Sequence, residues 1–413
     1  MTQNQALQIL NKGHNIYLTG PAGSGKTFLL NKFIEDLNKK GVGVGITAST
    51  GIAATHLDGV TIHSWAGIGI NEELTDKQIT SLKTKAYLKK RFTKTNVLII
   101  DEVSMLHSHT LDLVDRVCKI FKGNSLPFGG IQVVLCGDFF QLPPVNKYGQ
   151  ELNFINESNA WRNMDLKICY LNEQFRQEDN KLTKILNEIR ENNITDATRN
   201  AIMTRYKKDI NSDISPTKLY THNIDVDYIN NTELNKLTEK SKIYSMHCKG
   251  PDNLVDIIKK NCLAPETLIL KKGTIVMFVK NNFSKGYVNG TLGIVINFEN
   301  GHPVVETIAG KKIFVETEDW KINENELTKA EIKQIPLRLA WAITIHKSQG
   351  MSLDAAEIDL SKSFICGMGY VALSRVRTLS GIKLMGINNK ALEVDSNVLE
   401  FDKKLKLLSR MGL

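Results

Sequence analysis

One short segment of the chain has the residue types and spacing of a phosphate-binding loop. Residues 20–27 read GPAGSGKT and fit the pattern G-x-x-x-x-G-K-[ST] in full. The glycines let such a loop curl until its backbone N–H groups point at phosphate oxygens. Lys26 would reach the β- and γ-phosphates and Thr27 would hold Mg²⁺, so ATP and Mg²⁺ are the expected ligands. The predicted nucleotide-binding residues of this loop are Gly20, Gly23, Ser24, Gly25, Lys26 and Thr27.

The alternative interpretation of this loop is a chance glycine turn. The strand predicted before the loop and the helix predicted after it disfavour that alternative, because they are the structural context that the motif requires. The N-terminus of that helix would add its dipole to the attraction for phosphate.

Asp101 and Glu102 form a second candidate site, directly after the apolar run Val97–Ile100. A carboxylate at the end of a buried strand near a phosphate loop binds Mg²⁺, and we assign this function to Asp101. Glu102 is then placed to orient and deprotonate an attacking water. Two adjacent acids are more often an ordinary surface pair, but their position after a buried strand favours the catalytic function.

ATP hydrolysis also needs positive charge near the γ-phosphate in the transition state, and arginine side chains supply it in other ATPases. Arg176 and Arg375 are candidates. The residues alone do not distinguish these two from the other arginines of the chain.

The elements that must position these residues follow an α/β pattern. Strands are predicted at Ile16–Thr19, Val42–Thr47, Val97–Ile100 and Ile131–Cys136, and apolar residues recur at helical spacing from Leu29 to Leu37. Strands that alternate with helices form a parallel sheet with helices on both faces. Ligands bind at the carboxyl ends of such strands, and the polar motifs lie just after the strands.

A second α/β region is predicted in the remainder of the chain, and it contains an insertion of short strands. Strand-like runs lie at Leu166–Leu171 and Lys218–Thr221, and a helical face lies between them. Short β runs with Gly-containing turns such as Asn300–Gly301 indicate a small barrel within residues 268–320. These runs are Ile275–Val279, Leu292–Ile296, Val304–Ile308 and Lys312–Val315.

We therefore expect two domains. The first is residues 1–165, with an insertion at about 71–94 that is polar and basic and is predicted to stand off the sheet. The second is residues 166–413, with an insertion at about 246–330 that contains the β runs.

Composition places the chain among globular proteins of an aqueous compartment. Its 413 residues are 42% hydrophobic and 23% charged, and the formal net charge of +9 suits either a polyanionic partner or simple solubility. The six cysteines form no CxxC pair, which argues against a zinc module and a disulfide framework. The N-terminus lacks the apolar run of a signal peptide, and no apolar stretch is long enough to span a membrane. We expect a cytoplasmic protein without a targeting segment.

The chain resembles the superfamily 1B helicases, most closely those of the Pif type (petite integration frequency), with RecD-like and Dda-like helicases next nearest. The resemblance depends on a series of motifs in the same order across nearly the whole chain. They are GPAGSGKT at 20–27, TASTGIAATHLDGVTIHSWAGIG at 47–69, LIIDEVSML at 98–106, LDLVDRVCKIFKGNSLPFGG at 111–130, IQVVLCGDFFQLPPV at 131–145, LNEQFRQ at 171–177, WAITIHKSQGMSLD at 341–354 and YVALSRVRTLSG at 370–381.

This resemblance implies a fold of two RecA-like parallel-sheet motor domains, a small inserted wedge at 71–94 and an SH3-like β-barrel inserted in the second domain. It implies that Gln5 senses adenine and that Gln141 couples the γ-phosphate to domain movement. Arg176 and Arg375 would be arginine fingers supplied by the second domain.

The resemblance also implies a path for single-stranded DNA along the motifs that hold Thr50, His63, Phe139, Thr344, His346 and Lys347. Hydroxyls and basic groups would hold phosphates, and aromatic rings would stack on bases. Core packing is the alternative for Phe139 and Trp65, and a structural function is the alternative for the histidines. The charge run Lys89, Lys90, Arg91 and Lys94 belongs either to the wedge or to an ordinary solvated face.

The expected function is an ATP-dependent DNA helicase that moves on single-stranded DNA, 5′-to-3′ by family implication, and opens duplexes and duplex/single-strand junctions. G-quadruplexes and RNA–DNA hybrids are further candidate substrates. The first alternative is a translocase or remodeller without processive unwinding. A nucleotide-regulated single-strand binding protein and a small-molecule kinase are two more, but neither accounts for the full set of motifs. We expect a monomeric motor of a minimal bacterial or viral type, with a DNA-induced dimer as the alternative.

Overall fold

The structure is a computed structural model that describes residues 1–413 except 56, 58, 70, 145–152, 211–215, 281, 283, 288–289, 308–309, 325–326 and 413. Backbone contacts divide the chain into two compact units. The first comprises residues 1–204, 363–379 and 387–413, and the second comprises residues 205–362 and 380–386. The predicted domain limits, 1–165 and 166–413, remain a prediction, and the contact grouping places residues 166–204 in the first unit.

The described part of the chain contains α-helices of very different length. They are α1 (Gln3–Asn11), α2 (Lys26–Lys39), α3 (Gly51–Thr55), α4 (Ile62–Ala66), α5 (Asp76–Leu82), α6 (Ala86–Lys94), α7 (Ser108–Lys122), α8 (Asn159–Asn163), α9 (Asn180–Arg190), α10 (Asp196–Met203), α11 (Asn223–Lys236), α12 (Asp252–Asn261), α13 (Met368–Leu373) and α14 (Ser396–Met411). Among the described residues, none of these helices is long and apolar enough to cross a membrane.

The strands form both parallel and antiparallel sheets. They are β1 (Ile16–Thr19), β2 (Val44–Ala48), β3 (Val60–Thr61), β4 (Val97–Asp101), β5 (Gln132–Cys136), β6 (Lys167–Tyr170), β7 (Thr217–Tyr220), β8 (Lys242–Ser245), β9 (His247–Lys249), β10 (Thr267–Leu270), β11 (Ile275–Phe278), β12 (Leu292–Glu299), β13 (His302–Thr307), β14 (Lys312–Phe314), β15 (Glu318–Glu324), β16 (Leu327–Gln334), β17 (Leu337–Leu339), β18 (Ala342–Thr344), β19 (Ala356–Leu360) and β20 (Ile382–Ile387).

The first unit is built on a parallel sheet with the strand order β3-β2-β4-β5-β1-β6. Every residue of β1 and β4 is buried, as expected for strands covered on both faces. Helix α2 packs its apolar face, from Leu29 to Leu37, into the core beneath this sheet. Burial of each such side chain contributes about 1.5–3 kcal/mol. Because the strands are parallel, the loops after β1 and β4 emerge at the same edge of the sheet.

The strand predicted at Leu166–Leu171 exists as β6, but its expected place in the second α/β region was wrong. It pairs in parallel with β1, with Ile16 opposite Lys167 and Thr19 opposite Tyr170, and so extends the first sheet. An apolar run predicts that a strand forms, whereas the choice of partner strand depends on contacts that are distant in sequence.

The described residues of the second unit form a four-stranded sheet and three antiparallel sheets. The four-stranded sheet has the order β18-β7-β19-β20, and β7 pairs in parallel with β18 and β19. The short β runs predicted within 268–320 contribute to a five-stranded antiparallel sheet, β14-β13-β12-β11-β17, whose core includes Phe278 and Tyr287. Asn300 and Gly301 both have positive φ, 47° and 83°, in the hairpin between β12 and β13, as the Asn–Gly signal predicts.

The basic segment 71–94 forms helices α5 and α6, and α6 packs on helices α4 and α7 of the first unit. Phe92 of this segment packs between Trp65 and Phe121, with ring centroids 4.8 Å and 4.2 Å away. Arg91 donates hydrogen bonds to the carbonyls of Ser64 and Trp65, at 3.0 Å and 2.6 Å. Arg91 is therefore half-buried, whereas the lysines of the run are exposed, and the wedge function stays a prediction.

Candidate functional site

The backbone of the loop at residues 20–27 requires glycine at three positions. Gly20, Gly23 and Gly25 have φ of 147°, 81° and 79°. A Cβ on Gly20 would lie 2.6 Å from the carbonyl oxygen of Leu171, and a Cβ on Gly23 would lie 2.6 Å from the Cβ of Arg176. The sequence therefore folds here as a tight loop that closes against the segment after β6.

The polar side chains of the loop surround the start of helix α2. The ammonium group of Lys26 donates hydrogen bonds to the carbonyls of Gly20 and Pro21, at 2.8 Å and 3.0 Å. Ser24 has a buried hydroxyl oxygen without a hydrogen-bond partner among the described residues. Thr27 lies in the first turn of α2, where backbone N–H groups and the helix dipole favour an anion. This loop can therefore hold phosphate oxygens.

Asp101 ends the buried strand β4, and Glu102 directly follows it. The carboxylate of Asp101 is buried and accepts a hydrogen bond from the backbone N–H of Glu102, at 2.8 Å. Glu102 itself has left-handed backbone angles, φ 51° and ψ 44°, which cost free energy in a non-glycine residue and recur at functional sites. Burial and the adjacent carboxylate raise the pKa of Glu102 to about 7, while the charges of Lys26 and Arg375 oppose that rise.

Arg176 and Arg375 lie in the same unit as the phosphate loop. Arg375 is buried; its Nε donates to the carbonyl of Val371 at 2.9 Å, and its Nη2 donates to the hydroxyl of Ser374 at 2.8 Å. Arg176 donates to the carbonyl of Ser374 at 3.2 Å. Burial and the charge of Arg176 lower the pKa of Arg375 to about 9, so Arg375 is still charged at neutral pH. The negative charge of Glu102 acts on both guanidinium groups in the opposite direction.

Gln141 is buried in the segment after β5. Its backbone N–H donates to the carbonyl of Asp138 at 2.9 Å. The carboxylate of Asp138 accepts two hydrogen bonds from the guanidinium of Arg190, at 2.7 Å and 2.6 Å. The segment with Gln141 is therefore fixed by a buried ion pair, and Arg190 is a residue that the sequence analysis did not single out.

The predicted adenine-sensing Gln5 completes a capping box with Thr2 at the start of helix α1. Its side-chain oxygen accepts from the N–H of Thr2 at 2.8 Å, and the hydroxyl of Thr2 accepts in return from the N–H of Gln5. The glutamine that contacts the phosphate loop is Gln3, which donates to the carbonyl of Ser24 at 3.3 Å. Residues two apart lie on different faces of a helix, so the sequence MTQNQ does not tell which glutamine faces the loop. The adenine-sensing function of Gln5 stays a prediction.

Phe175 is a further residue that the sequence analysis missed. Its side chain is 60% exposed, and its backbone N–H donates to the carbonyl of Gly23 at 2.9 Å. An exposed aromatic ring beside a nucleotide loop offers a flat surface on which a base can stack. The signal was present in the sequence LNEQFRQ, where this aromatic residue directly precedes Arg176.

The predicted DNA-contacting residues of the first unit have different surroundings. The hydroxyl of Thr50 accepts from the N–H of Ala53 at 3.2 Å, at the start of α3. Burial and the nearby imidazoles of His109 and His107 lower the pKa of His63. These two positions are half-buried and remain candidate contacts.

Phe139 is packed in an aromatic core. Its side chain is 6% exposed, and its ring lies 5.6 Å from that of Tyr17 and 5.7 Å from that of Phe154 between centroids. A ring covered to this extent has no free face for a base, so its predicted stacking function is not supported, and the core interpretation describes it.

The predicted contacts of the second unit lie where β18 ends. The hydroxyl of Thr344 accepts from the N–H of Lys347 at 3.3 Å, and His346 and Lys347 lie in a short 3₁₀-helix. Burial and the charge of Arg338 lower the pKa of Lys347. Arg338, on β17, has a buried Nε without a hydrogen-bond partner among the described residues. The two cations make this edge a candidate phosphate contact, and Arg338 is an addition to the predicted set.

Comparisons with known proteins show which family the chain resembles. The sequence matches the family model of the PIF1-like helicases over residues 3–199 and that of the DNA helicase Pif1 2B domain over residues 253–298. The ATP-dependent DNA helicase Pif1 of Psychrobacter sp. (strain PRwf-1) is 44% identical over 99% of this chain and 71% of the relative. The ATP-dependent DNA helicase PIF1 of Homo sapiens is 35% identical over 97% of this chain, which spans 62% of the length of that relative.

Solved structures match the whole fold. A Pif1 helicase from Candida albicans has a TM-score of 0.86 at 35% identity and covers 98% of both chains. Pif1 from Bacteroides sp in complex with ADP-AlF4 has a TM-score of 0.82 at 32% identity and covers 98% of this chain and 96% of that one. Bacteroides Pif1 bound to single-stranded DNA has a TM-score of 0.75 at 32% identity and covers 98% of this chain and 96% of that one. The predicted fold class, a RecA-like parallel-sheet core with added antiparallel strands, is confirmed.

Proposed function

This chain belongs to the PIF1-like helicase family and is an ATP-dependent DNA helicase, and we propose that it tracks along single-stranded DNA 5′-to-3′ and unwinds the duplex ahead of it. The polarity follows from the family resemblance alone. The observation on which the proposal depends is the meeting of Lys26, Glu102 and two arginines, Arg176 and Arg375, around one phosphate loop.

Each of these charged groups has a distinct task in hydrolysis. Lys26 binds the phosphates, and Glu102, with a pKa of about 7, accepts the proton of the attacking water. Arg176 and Arg375 stabilise the charge that grows on the γ-phosphate oxygens in the transition state. A protein that only bound ATP as a switch would not need this set, so it favours a motor over a binding protein.

Mg²⁺ fits the residues that are present. The carboxylate of Asp101 is buried at the end of β4, and Thr27 lies in the first turn of α2. Among the described residues the buried hydroxyl of Ser24 has no hydrogen-bond partner, which fits a polar ligand. Thr27 and Asp101 would hold the ion, which neutralises phosphate charge when it is bound.

Single-stranded DNA is the proposed partner of both units. In the first unit, Thr50 and His63 are candidate contacts, and Phe139 is left out of the proposal because its ring is buried. In the second unit, Thr344, His346 and Lys347 are candidates, together with Arg338. Hydroxyl and basic side chains of this kind hold phosphates without reading sequence, which suits a motor that must accept every step of a strand.

The proposal extends to assembly and compartment. The motor acts as a monomer at a duplex/single-strand junction, and a DNA-induced dimer is the alternative, since a related solved structure (32% identity, TM-score 0.72) concerns two coordinating Pif1 helicases at forked DNA. A cytoplasmic location agrees with the use of ATP and with six cysteines that are all free thiols.

ATP hydrolysis with and without single-stranded DNA tests the proposal. We expect strong stimulation by DNA, abolished by Lys26→Ala and by Glu102→Gln, whereas Lys39→Ala at the exposed end of the same helix serves as the matched control. Hydrolysis that is indifferent to DNA would remove the motor interpretation and leave the phosphate site standing.

Unwinding of duplexes with a 5′ or a 3′ tail then separates the remaining alternatives. Opening of the 5′-tailed duplex alone supports the proposed direction. DNA-stimulated ATP hydrolysis without any strand separation would instead support the translocase or remodeller, and R-loop and G-quadruplex substrates would then identify its substrate.

A further inference from the structure

The hydroxyl of Tyr370 joins two parts of the ATP site that are distant in sequence. Tyr370 lies in α13 and is fully buried. Its oxygen accepts a hydrogen bond from the backbone N–H of Ala22, in the phosphate loop, at 2.8 Å. It accepts a second from the guanidinium of Arg190 at 3.1 Å and donates to the carboxylate of Asp138 at 3.4 Å. With two accepted bonds and one donated bond, the hydroxyl of Tyr370 uses its full hydrogen-bonding capacity.

The groups around this hydroxyl are themselves fixed by a buried network. Arg190 pairs with Asp138 and also donates to the hydroxyl of Tyr170 at 3.0 Å and to the carboxylate of Asp402 at 3.4 Å. Its guanidinium lies 4.2 Å from the ring centroid of Phe140. A fully satisfied buried network of this kind is rigid, because any displacement leaves a buried charge unpaired.

Helix α13 connects Tyr370 to a predicted arginine finger. The helix ends at Leu373, and the guanidinium of Arg375 is bonded to the carbonyl of Val371 and to the hydroxyl of Ser374. At the other end of α13, Gly367 has a φ of 86°, and a Cβ there would lie 2.7 Å from the carbonyl oxygen of Gln141. The helix is therefore set against the Gln141 segment at one end, while Arg375 is attached at the other.

We propose that Tyr370 is a positioning residue whose hydroxyl sets α13, and through it Arg375, against the phosphate loop and the Gln141 segment. The inference depends on the proposed function of Arg375 in hydrolysis. Tyr370 does not touch the reacting atoms in this arrangement. Its hydroxyl fixes the distance between the loop amide of Ala22 and the helix that holds the arginine, with the Arg190–Asp138 pair as a rigid support.

A positioning function predicts a specific kinetic signature for Tyr370→Phe. Displacement of the Arg375 guanidinium by ~1 Å should lower kcat by about 10-fold to 100-fold. The KM for ATP and the affinity for single-stranded DNA should stay unchanged. Binding of ADP with aluminium fluoride, a transition-state analogue, should weaken in parallel with kcat, whereas binding of ADP alone should not.

A second buried tyrosine of the same unit serves as the control. Tyr17 is equally buried and donates to the carbonyl of Gly137 at 3.2 Å. Tyr17→Phe should affect the melting temperature rather than the ratio of the two affinities. Gly367→Ala is a second test, because its Cβ would lie 2.7 Å from the carbonyl oxygen of Gln141 and would displace the same helix, so it should lower kcat and the analogue affinity together.

The outcomes distinguish this inference from the proposed motor function. Tyr370→Phe with the wild-type kcat and analogue affinity would overturn it, as would an equal loss of affinity for ADP and for ADP with aluminium fluoride. Should Tyr370→Phe not fold, wild-type kcat and analogue affinity in Gly367→Ala would overturn it as well. If DNA did not stimulate ATP hydrolysis by the wild type, the motor function would be contradicted instead. The effect of Tyr370→Phe on kcat could still be measured in the absence of DNA.

Discussion

One comparison can distinguish the candidate arginine finger Arg375 from an ordinary arginine. Arg375 is buried with its guanidinium bonded to Val371 and Ser374, close enough to Glu102 for their charges to interact. We expect Arg375→Ala to lower kcat by about 10³-fold or more with a smaller change in KM. Arg375→Lys should recover little of this loss, because an ammonium group lacks the planar fork of a guanidinium. Steady-state ATP hydrolysis with saturating DNA measures both.

Arg377 is the matched control for this prediction. It lies two residues further along the chain, is exposed, and pairs with Glu178 at 3.1 Å. Exposed pairs contribute little to stability, and this one is turned to solvent. Arg377→Ala should hydrolyse ATP like the wild type. If Arg377→Ala lost as much kcat as Arg375→Ala, any positive charge in this region would contribute to hydrolysis. Neither Arg375 nor Arg377 would then be a specific arginine finger.

Phe175 makes a second prediction at the scale of one side chain. If its exposed ring stacks on adenine, Phe175→Ala should raise the KM for ATP by about 5-fold to 100-fold, the range expected for loss of one stacking contact. The value of kcat should change little, because the base is remote from the phosphates. Phe175→Leu keeps an apolar side chain and removes the flat ring, so it should resemble the alanine variant. Recovery of the wild-type KM by leucine would contradict stacking.

The insertion at 71–94 shows how an element can combine packing with function. Ile79, Leu88 and Phe92 are buried, so removal of the whole segment would uncover Trp65 and Phe121. Deletion would therefore test stability as much as unwinding. Phe92→Ala alone should cost about 3–5 kcal/mol of unfolding free energy.

The exposed lysines of α6 give a cleaner test of the predicted wedge. We expect the combined change of Lys89, Lys90 and Lys94 to alanine to leave the melting temperature and the DNA-stimulated ATP hydrolysis unchanged, because these side chains are exposed. Strand separation of a forked duplex should slow if the element acts at the junction. Normal unwinding by this variant would assign α6 a purely structural function.

The parts of the site that could be predicted from the sequence are those whose geometry is local. The loop at 20–27 lies between a strand and a helix, and the pair Asp101–Glu102 comes at the end of a strand. Residue type and spacing along the chain are therefore enough to identify both. The contact of Tyr370 with Ala22 joins residues 348 positions apart, and no pattern around either residue indicates it. The same reason explains why β6 was predicted as a strand but placed in the wrong sheet, and why Gln3 and Gln5 could not be told apart.

At the scale of the whole molecule, a net charge of +9 is compatible with DNA binding, but does not locate it. The salt dependence of affinity carries more information, since each lysine or arginine that neutralises a phosphate releases a counterion. His63 and Lys347 should differ in whether they release a counterion when DNA binds. The lowered pKa of His63 leaves its imidazole neutral at pH 7.5, so its positive charge appears only below the ordinary histidine range of about 6.5.

This difference predicts distinct effects on the slope of log Kobs against log salt concentration at pH 7.5. Lys347→Ala should weaken binding of single-stranded DNA and reduce the slope by about one, as expected for the loss of one phosphate contact. His63→Gln should weaken binding without changing the slope, because a neutral side chain releases no counterion. The exposed Lys272, in the turn before β11, is the control, and Lys272→Ala should change neither quantity. Equal slopes for the wild type and Lys347→Ala would exclude Lys347 as a phosphate contact, and the DNA path of the second unit would then have to be sought away from the end of β18.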